Sequence, residues 1–510
     1  MLGILLAAFL ALECCLPLAS AVKIGVDEDF ELSKAVLCST GHRLFTEVWS
    51  DQPPLYVSLL TLLQRHEPQS ILAPRLLTVM FAAALLASFF LLARATSGTP
   101  AAAVATVLLI GSPGFLELSS SAMQEIPALA PAVAALCTLQ LWPAERWRSR
   151  AVVAGSLLAV AWQMKLIGLV YAPLAVLVPA LRMRSAVIAP EARRAGASPR
   201  EGRRFWIRLG RETGLVATVA LAGFLLINGL TGSPLRLQLM QAWQAHFATA
   251  QSLEVGAPEE HGFDWTILIK NWDTTLAALV GVAALLRLGW SGKGSRGAWL
   301  PLAWLLLTGV VFTTHHPWWG YYYLHNALPL CWCAGVGLTE WGAAAGFHRR
   351  WGTPAAAGAS GGRGWAWRWS LGWFCALATL WVGSRVVFEV DAARKSPKLF
   401  NCLVLREVER FRPFTHLLFT DQPIYSFHSG IPLPPQLGVL SLKRYWTGEM
   451  TGARVAAELQ AARPELVLLK ESNAEVVFQD LLNREYQLVY HDGRDRLYAH
   501  RSIARKARYD

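Results

Sequence analysis

Residues 71–94, ILAPRLLTVMFAAALLASFFLLAR, are the kind of stretch that decides this fold. A helix needs about 20 consecutive, predominantly apolar residues to cross a hydrocarbon core of roughly 30 Å. The quoted stretch meets that length and is apolar along most of it. It therefore predicts a transmembrane helix, and with it a chain that folds in a membrane rather than in water.

The composition of the whole chain supports this interpretation. Of the 510 residues, 54% are hydrophobic and 16% are charged, whereas about a quarter of the residues of a soluble domain are charged. The mean hydropathy is +0.34. Comparable apolar stretches recur and predict about eleven spans. They lie at residues 2–22, 71–94, 99–117, 125–142, 151–182 (two short helices), 213–230, 272–288, 299–314, 321–341 and 369–388.

Arginine and lysine gather between alternate spans, which predicts the orientation of the chain. The basic loops are 143–150, 183–212, 289–298 and 342–368, while loops 117–124 and 315–320 contain no Lys or Arg. Positive residues favour the cytoplasmic side, so we expect a plasma (inner) membrane protein with a cytoplasmic N-terminus. The net charge of +12 is then an orientation signal rather than a sign of nucleic-acid binding. An odd number of spans places loop 23–70 and the tail on the extracytoplasmic side.

The first span has an alternative interpretation as a cleaved signal peptide. Residues 18–21, LASA, resemble a small-residue cleavage site. However, no basic region precedes the apolar run, and Glu13 interrupts it. We predict an uncleaved anchor, and cleavage would leave the later topology unchanged.

Two regions outside the spans carry local structural signals. Residues 52–66, QPPLYVSLLTLLQRH, predict a short helix that starts at two prolines and lies along the membrane interface, with Tyr56 as its anchor. The tail predicts a soluble α/β domain with strands at 416–420 and 465–470, a helix at 453–462 and a hairpin around Asp492 and Gly493. The predicted domains are 1–388 in the membrane and 389–510 outside it, and residues 185–204 and 342–368 are predicted as flexible cytoplasmic loops.

Residues that can carry chemistry gather on the predicted outer side. They are the acidic cluster Asp27, Glu28, Asp29 and Glu31, then Asp51, Gln52, Glu125, Lys165, His315, His316, Tyr321 and Tyr322. Each has a plain structural alternative: a solvated loop, a helix cap, a lysine reaching the interface, or an aromatic belt. Together they suit a reaction between an amphiphile in the outer leaflet and a polar partner.

The order of these motifs resembles the GT-C superfamily of polyprenyl-phosphate-sugar-dependent glycosyltransferases. The similarity is to the bacterial branch related to protein O-mannosyltransferases and the lipid A aminoarabinose transferase. It rests on the acidic pair of the first outward loop, on DQPPLY at 51–56 and on an acidic residue where the fourth span begins. The resemblance implies an all-α polytopic membrane protein of GT-C type with a C-terminal soluble α/β domain. It also implies an inverting glycosyltransferase that moves a sugar from a polyprenyl-phosphate donor to a lipid, glycan or protein acceptor.

The resemblance also implies roles for individual residues. Asp27 matches the catalytic acid of the first loop, with Glu28 beside it, and Glu125 matches the second acidic position. Asp51 falls where the aminoarabinose transferase has an acidic metal-site residue. Gln52 departs from the pattern, because that enzyme has a phosphate-contacting lysine there.

The remaining candidates are substrate-binding residues, and the metal question stays open. Lys165 or a histidine is the alternative phosphate contact, and Tyr321 and Tyr322 complete the set. Carboxylate and imidazole are ordinary metal ligands, so a divalent ion held by Asp51 with His315 or His316 is an alternative, although no CxxC or HExxH motif is present.

Two other classes of protein compete with the transferase. A transporter or lipid flippase places ionisable groups near the bilayer midplane and often has internal repeats. A sensor or scaffold would use the tail for ligand binding and leave the loop acids solvated. The clustering of the candidate residues at one predicted membrane face favours the transferase.

Overall fold

The computed structural model describes residues 1–187, 199–247, 262–290, 299–345, 363–400, 402–471 and 479–505. Up to residue 400 the described chain is helical. The helices are α1 Leu2–Cys14, α2 Glu28–Ser39, α3 Leu55–His66, α4 Leu72–Ile110, α5 Phe115–Ser120, α6 Glu125–Leu141, α7 Trp147–Met164, α8 Ala172–Val187, α9 Pro199–Leu230, α10 Leu235–Phe247, α11 Thr266–Lys270, α12 Trp272–Trp290, α13 Trp299–Thr314, α14 Tyr323–Ala344 and α15 Arg363–Leu399.

Within the described ranges, five helices are long and apolar enough to cross a membrane. They contain Leu72–Ile110, Leu166–Met183, Phe205–Leu230, Trp272–Trp290 and Trp369–Lys395, and the shorter apolar helices are Leu2–Cys14, Glu125–Leu141 and Trp299–Thr314. The total of about eleven spans stays a prediction from segment length.

The helix bounds refine two of the predicted spans. Helix α4 covers the predicted span 71–94 from Leu72 onwards and the predicted span 99–117 only as far as Ile110. The two parts are joined at Gly98, where the backbone leaves the helical region (φ 85°, ψ 166°). Helix α1 ends at Cys14 and is shorter than the predicted span 2–22. The flexible cytoplasmic loops were predicted at 185–204 and 342–368. Their central stretches 188–198 and 346–362 lie outside the described residues. Their described flanks are instead helical, at the ends of α8, α9, α14 and α15.

Helices α12 and α14 pack closely against each other in the membrane part. Helices α12 and α14 approach each other at Gly281 and Gly337, where a Cβ on Gly281 would lie 1.8 Å from the Cys333 carbonyl oxygen. Small residues permit such backbone contact between membrane helices. Helix α14, which follows Tyr321 and Tyr322 in the chain, is thereby packed directly on α12.

The helix predicted at 52–66 is confirmed as α3, but the role given to its tyrosine is wrong. Tyr56 is fully buried, and its hydroxyl lies 3.3 Å from the Thr78 hydroxyl of α4. The ring therefore packs between α3 and the bundle and cannot anchor the helix at an interface. The interfacial position of α3 stays a prediction.

The C-terminal part has the predicted mixture of strands and helices. Its elements are α16 Cys402–Phe411, β1 Leu418–Thr420, α17 Ile424–Ser429, α18 Leu442–Trp446, α19 Gly452–Ala462, β2 Leu466–Lys470, α20 Gln479–Glu485, β3 Tyr486–His491, β4 Asp495–His500 and α21 Arg501–Ala504. The sheet has the order β1-β2-β4-β3. Strands β1 and β2 are parallel, and the hairpin β3–β4 turns at the predicted Asp492 and Gly493.

The two faces of this sheet pack against different parts of the chain, because alternate residues of a strand point to opposite sides. Leu466 and Leu468 belong to a cluster that includes Leu32 and Val36 of α2. Val467 and Leu469 face α19 instead. The C-terminal part is thus packed directly on the first loop. The predicted domain boundary at 388 falls inside the continuous helix α15, and the division into two domains stays a prediction.

Candidate functional site

A cavity of about 240 Å³ lies where five regions of the chain meet. These regions are the first loop with α2, the start of α6, the loops that follow α7 and α13, and the segment that leads into α18. The polar lining residues are Asp27, Glu31, Lys34, Asp51, Gln52, Gln124, Glu125, Lys165, Tyr321, Ser441 and Lys443. Residues far apart in sequence, singled out one by one, therefore share one cavity.

Asp27 reaches this cavity because of its place at the start of a helix. It is the residue before α2, and its side chain makes no capping hydrogen bond. The carboxylate is partly exposed, lines the cavity and interacts with the Tyr321 hydroxyl. Asp27 is thus a carboxylate held at the wall of a polar cavity, where a hydroxyl group could approach it.

Glu28, its neighbour, is fully buried and committed to structural bonds. Arg75 of α4 donates two hydrogen bonds of 2.8 Å to its two oxygens, and the backbone N–H groups of Ile24 and Ala122 donate one each, at 2.8 and 3.0 Å. Burial opposes ionisation, but Arg75 and these donors still hold the pKa of Glu28 below its usual value. The same guanidinium bonds the carbonyl oxygens of Leu18 and Ala21, so this pair fixes the path of the chain on both sides of Asp27.

One interpretation of the acidic cluster placed Asp29 and Glu31 in solvent. The structure buries both side chains instead. Asp29 pairs with Lys23 at 2.8 Å, and Glu31 pairs with Lys34 at 2.7 Å and accepts a hydrogen bond of 2.8 Å from Gln124. Burial raises the pKa of both carboxyl groups, and the lysines only partly offset it. Glu31 also lines the cavity, which makes it a site residue that the sequence did not distinguish.

Asp51 lies between two side chains that sequence reasoning missed, Lys443 and His246. Lys443 of α18 donates to its carboxylate at 2.5 Å, and Gln52 donates at 3.1 Å. The histidine beside it is His246 of α10, at 3.6 Å. Burial opposes the charge, yet Lys443 holds the pKa of Asp51 well below its usual value, while Asp51 raises that of Lys443. Burial, with Lys443 nearby, lowers the pKa of His246 to about 3, so its imidazole is neutral.

Glu125 and Lys165 form a third buried pair at the cavity. Glu125 is the first residue of α6, and Lys165 lies directly after α7, so two helix ends bring them together. One Glu125 oxygen accepts a hydrogen bond from the ammonium group. The ammonium also lies 4.9 Å and 5.6 Å from the ring centroids of Tyr321 and Tyr322. Lys165 is therefore held in the site by a carboxylate and two aromatic faces.

A second, mainly apolar groove of about 320 Å³ adjoins the polar cavity. Its wall consists largely of aliphatic and aromatic side chains. They are Leu166, Ile167, Leu169, Val170, Leu239, Ala242, Trp243, Val311 and Phe312, together with His246, His315 and Tyr322. Gln52 and Lys165 line both spaces. A polar cavity and an apolar groove thus meet at one amide and one ammonium group.

The two adjacent histidines take different positions. His315 lines the apolar groove, with its ring centroid 6.1 Å from that of His246. His316 is exposed and precedes a cis peptide bond to Pro317. Among the described residues, no group of three or more His, Cys, Asp or Glu side chains could hold a metal ion. Beside Asp51 the structure places the ammonium of Lys443 and the ring of His246.

Solved structures share this fold over nearly the whole chain. ArnT from Cupriavidus metallidurans, bound to undecaprenyl phosphate, aligns with 98% of this chain and 97% of its own at a TM-score of 0.62 and 14% identity. The oligosaccharyltransferase AglB from Archaeoglobus fulgidus, in complex with an inhibitory peptide and a dolichol-phosphate, aligns with 93% of this chain and 70% of its own. That TM-score is 0.56, at 12% identity. No protein-family model and no curated protein matches the sequence.

The likeness to ArnT and to the oligosaccharyltransferase confirms the overall membrane-protein fold expected from the sequence motifs, while the number of spans and the separate C-terminal domain stay predictions. At these identities the likeness concerns the fold alone. What this chain does has to be argued from its own residues.

Proposed function

We propose that this protein is an integral-membrane inverting glycosyltransferase that uses a polyprenyl-phosphate-linked sugar. The observation that carries the proposal is the junction of the polar cavity with the apolar groove at Gln52 and Lys165. An amphiphile with an isoprenoid tail and a charged head needs two such adjoining spaces. The fold likeness to proteins solved with undecaprenyl phosphate and dolichol-phosphate supports the same class of ligand.

In the proposed reaction the sugar lies in the polar cavity beside Asp27. The Asp27 carboxylate accepts the proton of the acceptor hydroxyl as its oxygen attacks the anomeric carbon of the donor. The bond between that carbon and the phosphate oxygen breaks, and the polyprenyl phosphate leaves with the electron pair. Attack opposite the leaving group inverts the anomeric centre. A positioned base of this kind contributes about 10²- to 10⁴-fold to the rate.

The other candidate residues support this step in different ways. Glu28 is proposed as a positioning residue, because its oxygens are occupied by Arg75 and two backbone donors. Lys165, held by Glu125, offers positive charge near the phosphate, which electrostatic stabilisation of a leaving group requires. Gln52, His315 and Tyr322 line the path of the lipid head. The acceptor, a lipid, glycan or protein, has to bring its hydroxyl to Asp27.

The proposal includes no step through a metal ion. The residues around Asp51 fit a divalent cation poorly, because the ammonium of Lys443 already contacts the carboxylate oxygen at 2.5 Å. His316, the predicted partner ligand, is exposed and has no role in the proposal. Transfer that continues at an undiminished rate in the presence of a chelator would agree with this arrangement.

The test is sugar transfer by the purified protein in liposomes. A panel of polyprenyl-phosphate hexoses and pentoses is offered with candidate acceptors, and products are identified by mass spectrometry. We expect transfer from one or more donors, and a loss of about 10²- to 10⁴-fold in rate for Asp27→Asn. The matched control is Asp391→Asn, which changes an exposed acid paired only with exposed Lys395.

Two outcomes would contradict the proposal in different ways. Retained transfer in Asp27→Asn, with Asp391→Asn behaving like the wild type, would overturn the assignment of the base. Movement of intact lipid-linked sugar across the bilayer without any product would instead identify a flippase, the competing class of protein.

A further inference from the structure

The C-terminal part contributes a charged group to the candidate site, from a helix that no sequence motif had singled out. Lys443 is separated from Asp51 by 392 residues, yet its ammonium lies within the cavity wall. It is 7% exposed. A buried lysine is costly unless its charge is used, so the position of this side chain calls for a reason.

The backbone around Lys443 is fixed by its neighbours rather than by Lys443 itself. The Arg444 guanidinium donates to the carbonyl oxygens of Gln436 and Val439 at 2.8 and 2.9 Å and lies 5.6 Å from the Trp49 ring centroid. The Trp446 ring stacks on Trp319 with centroids 6.2 Å apart. Arg444 and Trp446, which follow Lys443 in α18, thus contact Trp49 and Trp319 of the membrane part, and the ammonium group of Lys443 lines the cavity.

The ammonium group is only partly used in this structure. An ammonium has three N–H donors, and the structure records one hydrogen bond, to Asp51. The charge of Lys443 acts on Lys165, His246, His315 and Tyr322, which line the groove. Lys443 lies in the cavity wall, and its ammonium shares the Asp51 carboxylate oxygen with the amide of Gln52, one of the two residues that line both spaces.

We infer that Lys443 binds the phosphate of the lipid-linked substrate and of the polyprenyl phosphate released from it. The inference rests on the proposed function and extends it, because it makes the C-terminal part an element of the substrate site. Asp51 holds the ammonium in place and competes with the phosphate for it. When the bond to the sugar breaks, the phosphate gains a negative charge, and Lys443 stabilises that charge together with Lys165.

The test compares binding of undecaprenyl phosphate with binding of undecaprenol, which has the same tail but no phosphate. In Lys443→Gln we expect the affinity for undecaprenyl phosphate to fall at least about tenfold, since a charge-assisted hydrogen bond is lost, while that for undecaprenol is unchanged. Lys443→Arg should restore most of the affinity. The matched control is Lys470→Gln, which changes an exposed lysine at the end of β2.

A second variant tests the competition directly and does not depend on the folding of Lys443→Gln. Asp51→Asn removes the carboxylate that competes for the ammonium, so undecaprenyl phosphate should bind more tightly than to the wild type. A lysine with a purely structural role predicts the opposite, because loss of its partner would loosen the site.

The outcomes separate this inference from the proposed function. Suppose that the wild type transfers sugar, but that Lys443→Gln binds undecaprenyl phosphate as tightly as the wild type or loses affinity for both lipids equally. The role assigned to Lys443 is then wrong, and the proposed transferase activity is unaffected. Weaker phosphate binding in Asp51→Asn would also overturn it. If the wild type binds neither lipid, the proposed function itself fails.

Discussion

Among the buried ion pairs of the first loop, those of Glu28 with Arg75 and of Asp51 with Lys443 differ in how many of their hydrogen-bonding groups are used. In the pair of Glu28 and Arg75 both carboxylate oxygens accept two hydrogen bonds, and the guanidinium also bonds two backbone carbonyls. In the pair of Asp51 and Lys443 the ammonium has a single recorded acceptor and faces a cavity. Both pairs are buried, so burial and pairing do not distinguish a structural pair from a functional one. Unused hydrogen-bond donors that face a cavity do distinguish them.

The largest expected effect on stability comes from the pair of Glu28 and Arg75, in which each carboxylate oxygen already accepts two hydrogen bonds. Glu28→Gln leaves the Arg75 charge fully buried without a carboxylate, and breaking a buried pair in this way costs about 3–5 kcal/mol. We expect a strongly lowered unfolding temperature in detergent and little folded protein in membranes. The same isosteric change at the cavity, Asp51→Asn, should cost much less, because water in the cavity can solvate Lys443.

A double variant sharpens the comparison. Replacing both members of a buried pair with apolar residues of similar volume is often nearly neutral, so Glu28→Met with Arg75→Met should recover much of the stability lost in either single variant. Equal losses of stability in Glu28→Gln and Asp51→Asn would show that the two pairs are energetically alike and would remove the basis of the distinction.

Much of the architecture could be predicted because its signals are local. The apolar length of residues 71–94, the two prolines before α3, and Asp492-Gly493 in the hairpin each specify structure within a few residues. Alternating basic loops predicted that the first loop, Glu125, Lys165 and the tyrosines lie on one side of the membrane. Residues of the first loop, Glu125, Lys165 and Tyr321 do line one cavity, while the side of the membrane on which they lie stays a prediction.

The rest of the site depends on contacts that a sequence does not display. Asp27 and Glu28 are adjacent acids, and only the start of α2 between them and the position of Arg75 decide which one faces the cavity. Lys443 and His246 were missed because their helices carry no motif and meet Asp51 only through tertiary packing. A lysine in a predicted soluble tail has no local feature that would place it beside a membrane site.

A smaller effect is expected where the first loop approaches α6. A Cβ on Gly25 would lie 2.5 Å from both the Met123 sulfur and the Ser121 hydroxyl oxygen. Overpacking of this kind typically costs about 1–3 kcal/mol, and here it would displace the loop that carries Asp27. We expect Gly25→Ala to lower the transfer rate more than it lowers the unfolding temperature.

The control for this substitution is Gly214→Ala, because a Cβ there has no neighbour within 4 Å. If Gly25→Ala and Gly214→Ala both transfer sugar at the wild-type rate, the position of Asp27 does not depend on this close approach, and the fixation of the loop would rest on the Glu28 and Arg75 pair alone.

The smallest expected effect is a pH dependence of stability that arises from His246, which lies beside the pair of Asp51 and Lys443. An unfolded histidine titrates near pH 6.5, whereas burial, with Lys443 beside it, lowers the pKa of His246 to about 3. Between these values the unfolded chain binds a proton that the folded chain does not. This contribution to stability is therefore complete above about pH 6.5 and is lost as the pH falls towards 3.

The groups that face His246 are Asp51, Gln52, Lys443, Lys165 and His315. His246→Gln should therefore flatten the decline in unfolding temperature between about pH 6.5 and 5, the upper part of the window set by the histidine pKa values. His416→Gln, at an exposed histidine, should keep the wild-type slope. If the slope of His246→Gln matches that of the wild type, the imidazole is hydrated in the folded protein, and the space between Lys443 and the groove is wetter than the buried contacts indicate. In that case water would weaken the interaction of the Lys443 ammonium with a phosphate. The two ion pairs would then differ in their hydration rather than in their number of unused hydrogen-bond donors.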